Sequence, residues 1–323
     1  MRADLAIATC GALAAAFSAL LAASSPDSSA ATPAASPAAS AVAAPSPAAS
    51  PTAAPVVARS SPAVSPDGKW IAFLANDGGA TDVYVVAAEG GAPTRVTATP
   101  ETEDQPEWAA DGRRLVFSVR GGERSRIVSI ARDGSDRQVL ISETGRTPRL
   151  SPDGRSILYS RGSWTEVEVL VVPLGGERYR LTDGKSVAWN CVWSPDGKTV
   201  AFTGRDGTGN LQIFLVGADG AAPPRQLTRL SLDDGRAQVP AWSPDGRRIA
   251  FQANEEGHVS HLWIADAQTG EAQRVGPRQR SFLDEAPGWF PDGKRLAFQS
   301  NRSGRMEIWT VDVDGSDPRQ ITR

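Results

Sequence analysis

AWSPDGRRIAFQ, residues 241–252, is the stretch from which the fold can be read. In Ser243-Pro244-Asp245-Gly246 the proline pre-sets φ, the aspartate can bond its own backbone, and the glycine accepts a left-handed conformation. That is the chemistry of a tight turn between two strands. Ile249 and Phe251 follow four and six residues after Asp245, and a spacing of two puts both on one strand face.

The same arrangement recurs along the chain. Asp-Gly stands at Asp67, Asp111, Asp153, Asp196, Asp245 and Asp292, in steps of 44, 42, 43, 49 and 47 residues. Four copies read Ser-Pro-Asp-Gly in full. The second reads Ala109-Ala110-Asp111-Gly112, and the sixth has Phe290 in the serine position. Six residues after each aspartate is an aromatic: Phe73, Phe117, Tyr159, Phe202, Phe251 and Phe298. Four residues after it is a branched aliphatic: Ile71, Leu115, Ile157, Val200, Ile249 and Leu296. A Gly-bearing turn follows in each unit, then an apolar strand containing pairs such as Val83-Tyr84, Leu262-Trp263 and Ile308-Trp309. A second turn and a short Leu-Thr-like strand end the unit. Four antiparallel strands in roughly 45 residues make one propeller blade, and self-similarity at that period decides the architecture. The expected fold is all-β: a six-bladed propeller over 59–323. Every blade is complete in sequence, so the ring is expected to close by packing. The alternative is an added strand from Val56-Val57-Ala58.

The N-terminal part is of another kind. Arg2 followed by the uncharged apolar run 5–22 and small residues reads as an export signal over 1–23. Residues 24–58 are almost entirely Ala, Pro and Ser. Such a composition has no apolar periodicity and reads as an extended, disordered linker. The chain is therefore expected to be periplasmic or secreted. Net charge is −3, and no basic stripe is visible, which argues against a nucleic-acid partner. The two cysteines are Cys10, inside the signal, and Cys191, so no disulfide framework is expected.

Ser-Pro-Asp-Gly-Lys/Arg, an Ile-Ala-Phe-like strand, an Ile-Tyr/Trp strand and a Leu-Thr ending resemble the TolB-type (WD40-like) propeller repeat, over about 62–323. The resemblance implies a binding propeller of the cell envelope. Its partner would be a protein such as a peptidoglycan-associated lipoprotein or another Tol-system component. Similar repeats occur in prolyl-oligopeptidase-like proteases and in some carbohydrate-active lyases. The α/β domain that precedes the propeller in TolB has only the linker in its place here. No Gly-x-Ser-x-Gly nucleophile turn occurs, and the sequence has only two histidines, His258 and His261.

The recurring aspartates read as turn residues, because six-fold repetition is structural. The histidines are three apart, which in a strand turns them to opposite faces. Cys191 takes a slot that Pro62, Pro106, Pro148, Pro240 and Pro287 fill elsewhere, and reads as a buried inert thiol. The tryptophan column Trp108, Trp193, Trp242 and Trp289 reads as core. Function is expected where the repeat is irregular, on the loops between blades and at the channel mouth they surround. The candidate ligand-binding residues are Asp104, Arg146, Trp189, Gln238 and Glu285, two before the proline slot, with Asp233, Asp234 and Asp284. No catalytic residue, metal or cofactor is assigned, and a monomer is expected. The alternative function is a hydrolase or lyase acting on peptide or carbohydrate at the mouth, or a propeller that serves a separate catalytic chain.

Overall fold

A computed structural model describes residues 58–323 except 77–78, 122–123, 144, 164, 185–186, 231–235, 256–258 and 278–280, and the side chains of Arg124 and Glu255. The signal and nearly all of the linker lie outside the described residues, as do Asp233, Asp234 and His258.

The described residues form six four-stranded antiparallel sheets. Blade one is β1 (Arg59–Val64), β2 (Trp70–Ala75), β3 (Asp82–Ala87) and β4 (Thr94–Arg95). Blade two is β5 (Thr102–Trp108), β6 (Arg114–Gly121), β7 (Arg124–Ala131) and β8 (Gln138–Ile141). Blade three is β9 (Arg146–Leu150), β10 (Ser156–Gly162), β11 (Val167–Pro173) and β12 (Tyr179–Arg180). Blade four is β13 (Ala188–Trp193), β14 (Thr199–Arg205), β15 (Leu211–Gly217) and β16 (Arg225–Gln226). Blade five is β17 (Ala237–Trp242), β18 (Arg248–Glu255), β19 (Val259–Asp266) and β20 (Ala272–Arg274). Blade six is β21 (Asp284–Trp289), β22 (Arg295–Ser300), β23 (Glu307–Asp312) and β24 (Arg319–Gln320). The first strand of each blade is innermost. Each inner strand packs on its two neighbours, β21 on β1 included, so the ring is closed.

The Asp-Gly turns do what their chemistry requires. Ser243 Oγ donates to Asp245 Oδ1 at 2.6 Å and accepts the Arg248 amide at 2.9 Å, while Asp245 Oδ1 accepts the Arg247 amide at 3.0 Å. Blades one, three and four repeat this pattern through Ser65, Ser151 and Ser194. The glycine is left-handed in all six turns, for example Gly246 at φ 69°. The serine bond and the backbone amides hold the carboxyls of Asp67, Asp153, Asp196 and Asp245 below the usual range. These aspartates are structural, as their repetition implied.

The aromatic and aliphatic columns are fully buried, and each faces the preceding blade. Leu115 and Phe117 of blade two pack on Ala72, Leu74, Val83 and Val85 of blade one. Ile71 and Phe73 of blade one pack on Ala297 and Ile308 of blade six. The other four interfaces repeat this arrangement. The core is therefore six apolar seams rather than one centre, and each aromatic contributes roughly 1.5–3 kcal/mol by burial. The tryptophan column belongs to it. Trp108 and Trp289 are buried and donate their indole N–H to the Ala63 and Ala241 carbonyls of the preceding blade, both at 3.0 Å.

Among the described residues closure is by packing and polar clasps, with no shared strand; Val56 and Val57, the alternative closing strand, lie outside them. The Arg59 amide donates to the Met306 carbonyl at 3.1 Å, and Arg59 Nη1 lies 2.7 and 2.6 Å from the two Glu307 oxygens. Glu307 is completely buried and also accepts from Arg305 at 2.6 Å and from Thr322 at 2.5 Å.

Ala109 gives the second turn no serine hydroxyl. Ser243→Ala should lower stability by about 1 kcal/mol, and Ala109→Ser should raise it by about 0.5 kcal/mol. Urea midpoints of the two variants against the parent chain check this, and unchanged midpoints would refute the role given to the hydroxyl.

Candidate functional site

Six inner strands converging on one axis cannot all stay regular. Each carries a register shift against its second strand, as between Asp104 and Glu107 or between Gln238 and Ala241. At each shift one residue adopts a left-handed backbone: Ser61, Gln105, Thr147, Asn190, Val239 and Ala286, with φ between 49° and 54°. None is glycine, and two are β-branched, so the ring over-determines a conformation that side chains ordinarily avoid. The preceding blade supports it. The Ser61, Val239 and Ala286 amides donate to Gln299 Oε1 (2.9 Å), Thr203 Oγ1 (3.2 Å) and Gln252 Oε1 (2.9 Å).

The bulge turns polar side chains toward the axis. Gln105 Nε2 of blade two donates to Asn190 Oδ1 of blade four at 3.4 Å. Blade three stands between those two blades in the ring, so this bond crosses the central channel. Gln105 Oε1 and Asn190 Nδ2 are buried and have no hydrogen-bond partner. One acceptor, on Gln105, and one donor, on Asn190, therefore remain unmade, at a cost of about 1–3 kcal/mol each. One step further along the strands, Glu107 Oε2 lies 3.4 Å from Arg149 Nε of the next blade. Desolvation raises the Glu107 carboxyl, and Arg149 opposes the rise.

At the mouth, Asp104 is pushed up to about 6 by burial, against the pull of Arg120, Arg146 and Arg149. The structure thus brings Asp104 and Arg146 together from adjacent blades. Trp189 and Gln238 occupy the same register as Asp104, paired with Thr203 and Gln252, and both are half-buried. Glu285 also shares that register but is only 2% exposed. It accepts from Gln299 at 3.1 Å, and burial pushes it up to about 7. Asp284 is clamped by Arg302 Nη2 at 2.7 and 2.6 Å, and that guanidinium lies over the rings of Phe282, Phe298 and Trp309. Glu285 and Asp284 therefore serve the blade itself and the seam to blade one.

Sequence reasoning missed Gln105, Asn190, Glu107, Arg149 and Glu103. A signal for the first two was available: the residue just before the proline slot is polar in four consecutive blades (Ser61, Gln105, Thr147, Asn190). Glu103 is completely buried. Its Oε1 accepts from Thr99 at 3.0 Å, while its Oε2 has no partner. Burial first, and then Asp82, raise it to about 7, with Thr99, Thr97 and Arg137 opposing. Cys191 is 0% exposed, and burial pushes its thiol up to about 12. His261 is buried on β19. Among the described residues no group of three or more His, Cys, Asp or Glu converges to hold a metal.

A closed ring of six complete four-stranded blades around a polar channel is a six-bladed β-propeller. Its repeats match two propeller family models. The family model for the TolB beta propeller domain matches residues 224–323, and that for the Tricorn protease N-terminal beta propeller domain matches residues 52–169. The chain is similar to the Uncharacterized peptidase YuxL of Bacillus subtilis, 30% identical over 145 residues, which are 45% of this chain and 21% of that protein. It is also similar to the Tol-Pal system protein TolB of Anaeromyxobacter dehalogenans, 32% identical over 36% of this chain and 26% of that one. The chain thus matches about a quarter or less of the length of these curated relatives. The crystal structure of TolB from Acinetobacter baumannii superposes with a TM-score of 0.65 at 21% identity, covering 82% of this chain and 66% of the other.

Asn190→Val should lower stability by about 2 kcal/mol, because it removes the cross-channel bond and puts a β-branched residue into the left-handed slot. Val239→Asn should raise stability by about 1 kcal/mol. Equal and opposite denaturation shifts are not required, but opposite signs are. For Glu103 the folded value lies above the ordinary one, so the native state binds the extra proton. Stability is therefore full near pH 4 and falls as pH rises toward about 7. Glu103→Gln should remove that fall, making the variant about 1–3 kcal/mol more stable than the parent at pH 8 and indistinguishable near pH 4.5. Denaturation across that pH range measures it.

Proposed function

We propose that this chain is an exported binding propeller of the cell envelope that holds an extended protein segment at its channel mouth and performs no catalysis of its own. The observation that carries the reading is the pair of amides that meet across the channel, Gln105 and Asn190, each of which keeps one buried atom without a partner, an acceptor on the first and a donor on the second. An amide group, on a peptide backbone or an Asn or Gln side chain, has the complementary pair. Above that tier, Asp104 and Arg146 supply both signs of charge for orienting a polypeptide, with the half-buried faces of Trp189 and Gln238 beside them. The similarity to a Tol-Pal system protein, TolB, supports a protein partner in the envelope, such as a peptidoglycan-associated lipoprotein or another Tol component. The apolar, uncharged run 5–22 supports export.

A second reading draws on the match to a peptidase and to the Tricorn protease propeller. In it the mouth presents a substrate to a separate catalytic chain, or is itself the site of a hydrolase or lyase. One experiment separates the two. A photo-crosslinking residue replaces Arg146 in the full-length protein in its native cells, and the adducts are identified. A single non-enzymatic envelope protein is expected, with the yield reduced at least ten-fold by Gln105→Ala combined with Asn190→Ala (about 1.4 kcal/mol per factor of ten). Adducts only to a hydrolase, or none at all, would overturn the proposal.

A further inference from the structure

The seams between blades are near-copies of one another, so a missing part in one of them is visible. Where blade five meets blade six, Arg248 stands three residues after Asp245, and its guanidinium lies 4.7 Å above the ring of Trp289. The same guanidinium donates from Nη2 to the Gly293 carbonyl at 2.9 Å. Arg248 thus covers the indole face and fills the crevice below it. Where blade four meets blade five, the corresponding residues are Thr199, Trp242 and Gly246. Threonine is too short to reach over the ring. A groove of about 620 Å³ is found there, lined by Thr199, Trp242 and Gly246 together with Arg225, Arg247 and Asp266. That volume is within the range of small-ligand sites.

A second difference sits in the same place. Trp108, Trp193 and Trp289 each donate their indole N–H to a carbonyl of the preceding blade, whereas Trp242 Nε1 is buried with no partner. Serine at 156 makes a similarly short neighbour for Trp193, but that indole keeps its bond, to the Arg149 carbonyl at 3.3 Å. The unpartnered indole and the open groove coincide only at Trp242 among these four tryptophans.

We infer that the groove between blades four and five is a seat for a guanidinium group supplied by a ligand, which stacks on Trp242 and takes the Gly246 carbonyl as Arg248 takes that of Gly293. A planar cation over an indole face is a favourable electrostatic pair, strongest for tryptophan. The neighbouring positive charges do not forbid it. Arg247 has its counterpart in Lys294 beside the occupied seat, and Asp266 has its counterpart in Asp312. Arg225 is the one added cation, since its counterpart is Gln273, and its Nη2 is held on the Ala267 carbonyl at 3.0 Å. The groove is on the side of the Asp-Gly turns, opposite the channel mouth, so this inference stands apart from the proposed function.

The test uses the full-length protein labelled with 5-fluorotryptophan, with the Trp242 fluorine resonance identified as the one lost in Trp242→Phe. Methylguanidinium chloride and a capped Gly-Arg-Gly peptide are titrated separately. The Trp242 resonance alone should move, saturating at roughly millimolar to tens of millimolar, as expected of one cation–π contact together with one hydrogen bond to a carbonyl. Thr199→Arg should supply the missing guanidinium from within the chain, shift that resonance without ligand and abolish the titration. Arg225→Gln should tighten binding several-fold by removing like charge. Saturation by methylguanidinium alone would identify a free small ligand, and saturation by the peptide alone an arginine within a polypeptide. No saturable movement with either probe would overturn the inference. So would weaker binding in Arg225→Gln, because that variant weakens an anion seat and strengthens a cation seat. The Arg225 variant decides the matter even if Thr199→Arg does not fold.

Discussion

A blade of four strands has two apolar faces and no means of covering either. Everything else in this propeller follows from that deficit. The aromatic and aliphatic columns of each blade can leave water only against the preceding blade, and that blade only against the one before it, so burial is complete only when the circle is. The place where the circle meets itself has no chain running through it. The burial of Ile71 and Phe73 against blade six is supplemented there by Arg59, whose amide and guanidinium both reach across to Met306 and Glu307. A carboxylate buried as deeply as Glu307 is tolerable only because three separate donors surround it.

The same convergence makes the channel unusual chemically. Strands that radiate from an axis crowd at their inner ends, and each relieves the crowding with a bulge at which one residue turns left-handed. The result is a lumen lined by residues in strained conformations, among them the two amides that meet across it. It is bordered by two carboxyls displaced upward by desolvation, Asp104 and Glu107. Strain and displaced acidity gather in one region because a single geometric requirement produces both.

Periodicity decided how much could be read from the sequence. The turn tetrads, the two buried columns and the tryptophans were all legible, since each is either a local preference or a pattern repeated from blade to blade. The left-handed tier was not. A residue before proline is ordinarily driven to extended backbone, and only the ring's geometry reverses that at Gln105 or Thr147. The register of Asp104, Arg146 and Glu285 could be counted from the proline slot, but their surroundings could not. Whether such a residue faces a lumen or is locked by a neighbour depends on side chains such as Gln299, 14 positions away from Glu285, and Arg302, 18 positions away from Asp284. The uncovered Trp242 was legible in principle, because it needs only a comparison of Thr199 with Arg248. The comparison has no meaning until the structure shows what Arg248 covers.

The proline slot of blade four has one more consequence. Cys191 lies there at 0% exposure with its thiol pushed up to about 12, so in the closed ring it offers alkylating reagents neither access nor thiolate. Blades three and four must part before it can react, because its packing partners include Leu158 and Val169 of the blade behind it. Under mild conditions its modification rate is therefore a clock for breathing of the circle, ticking only when two neighbouring sheets separate and silent to every motion that leaves them joined.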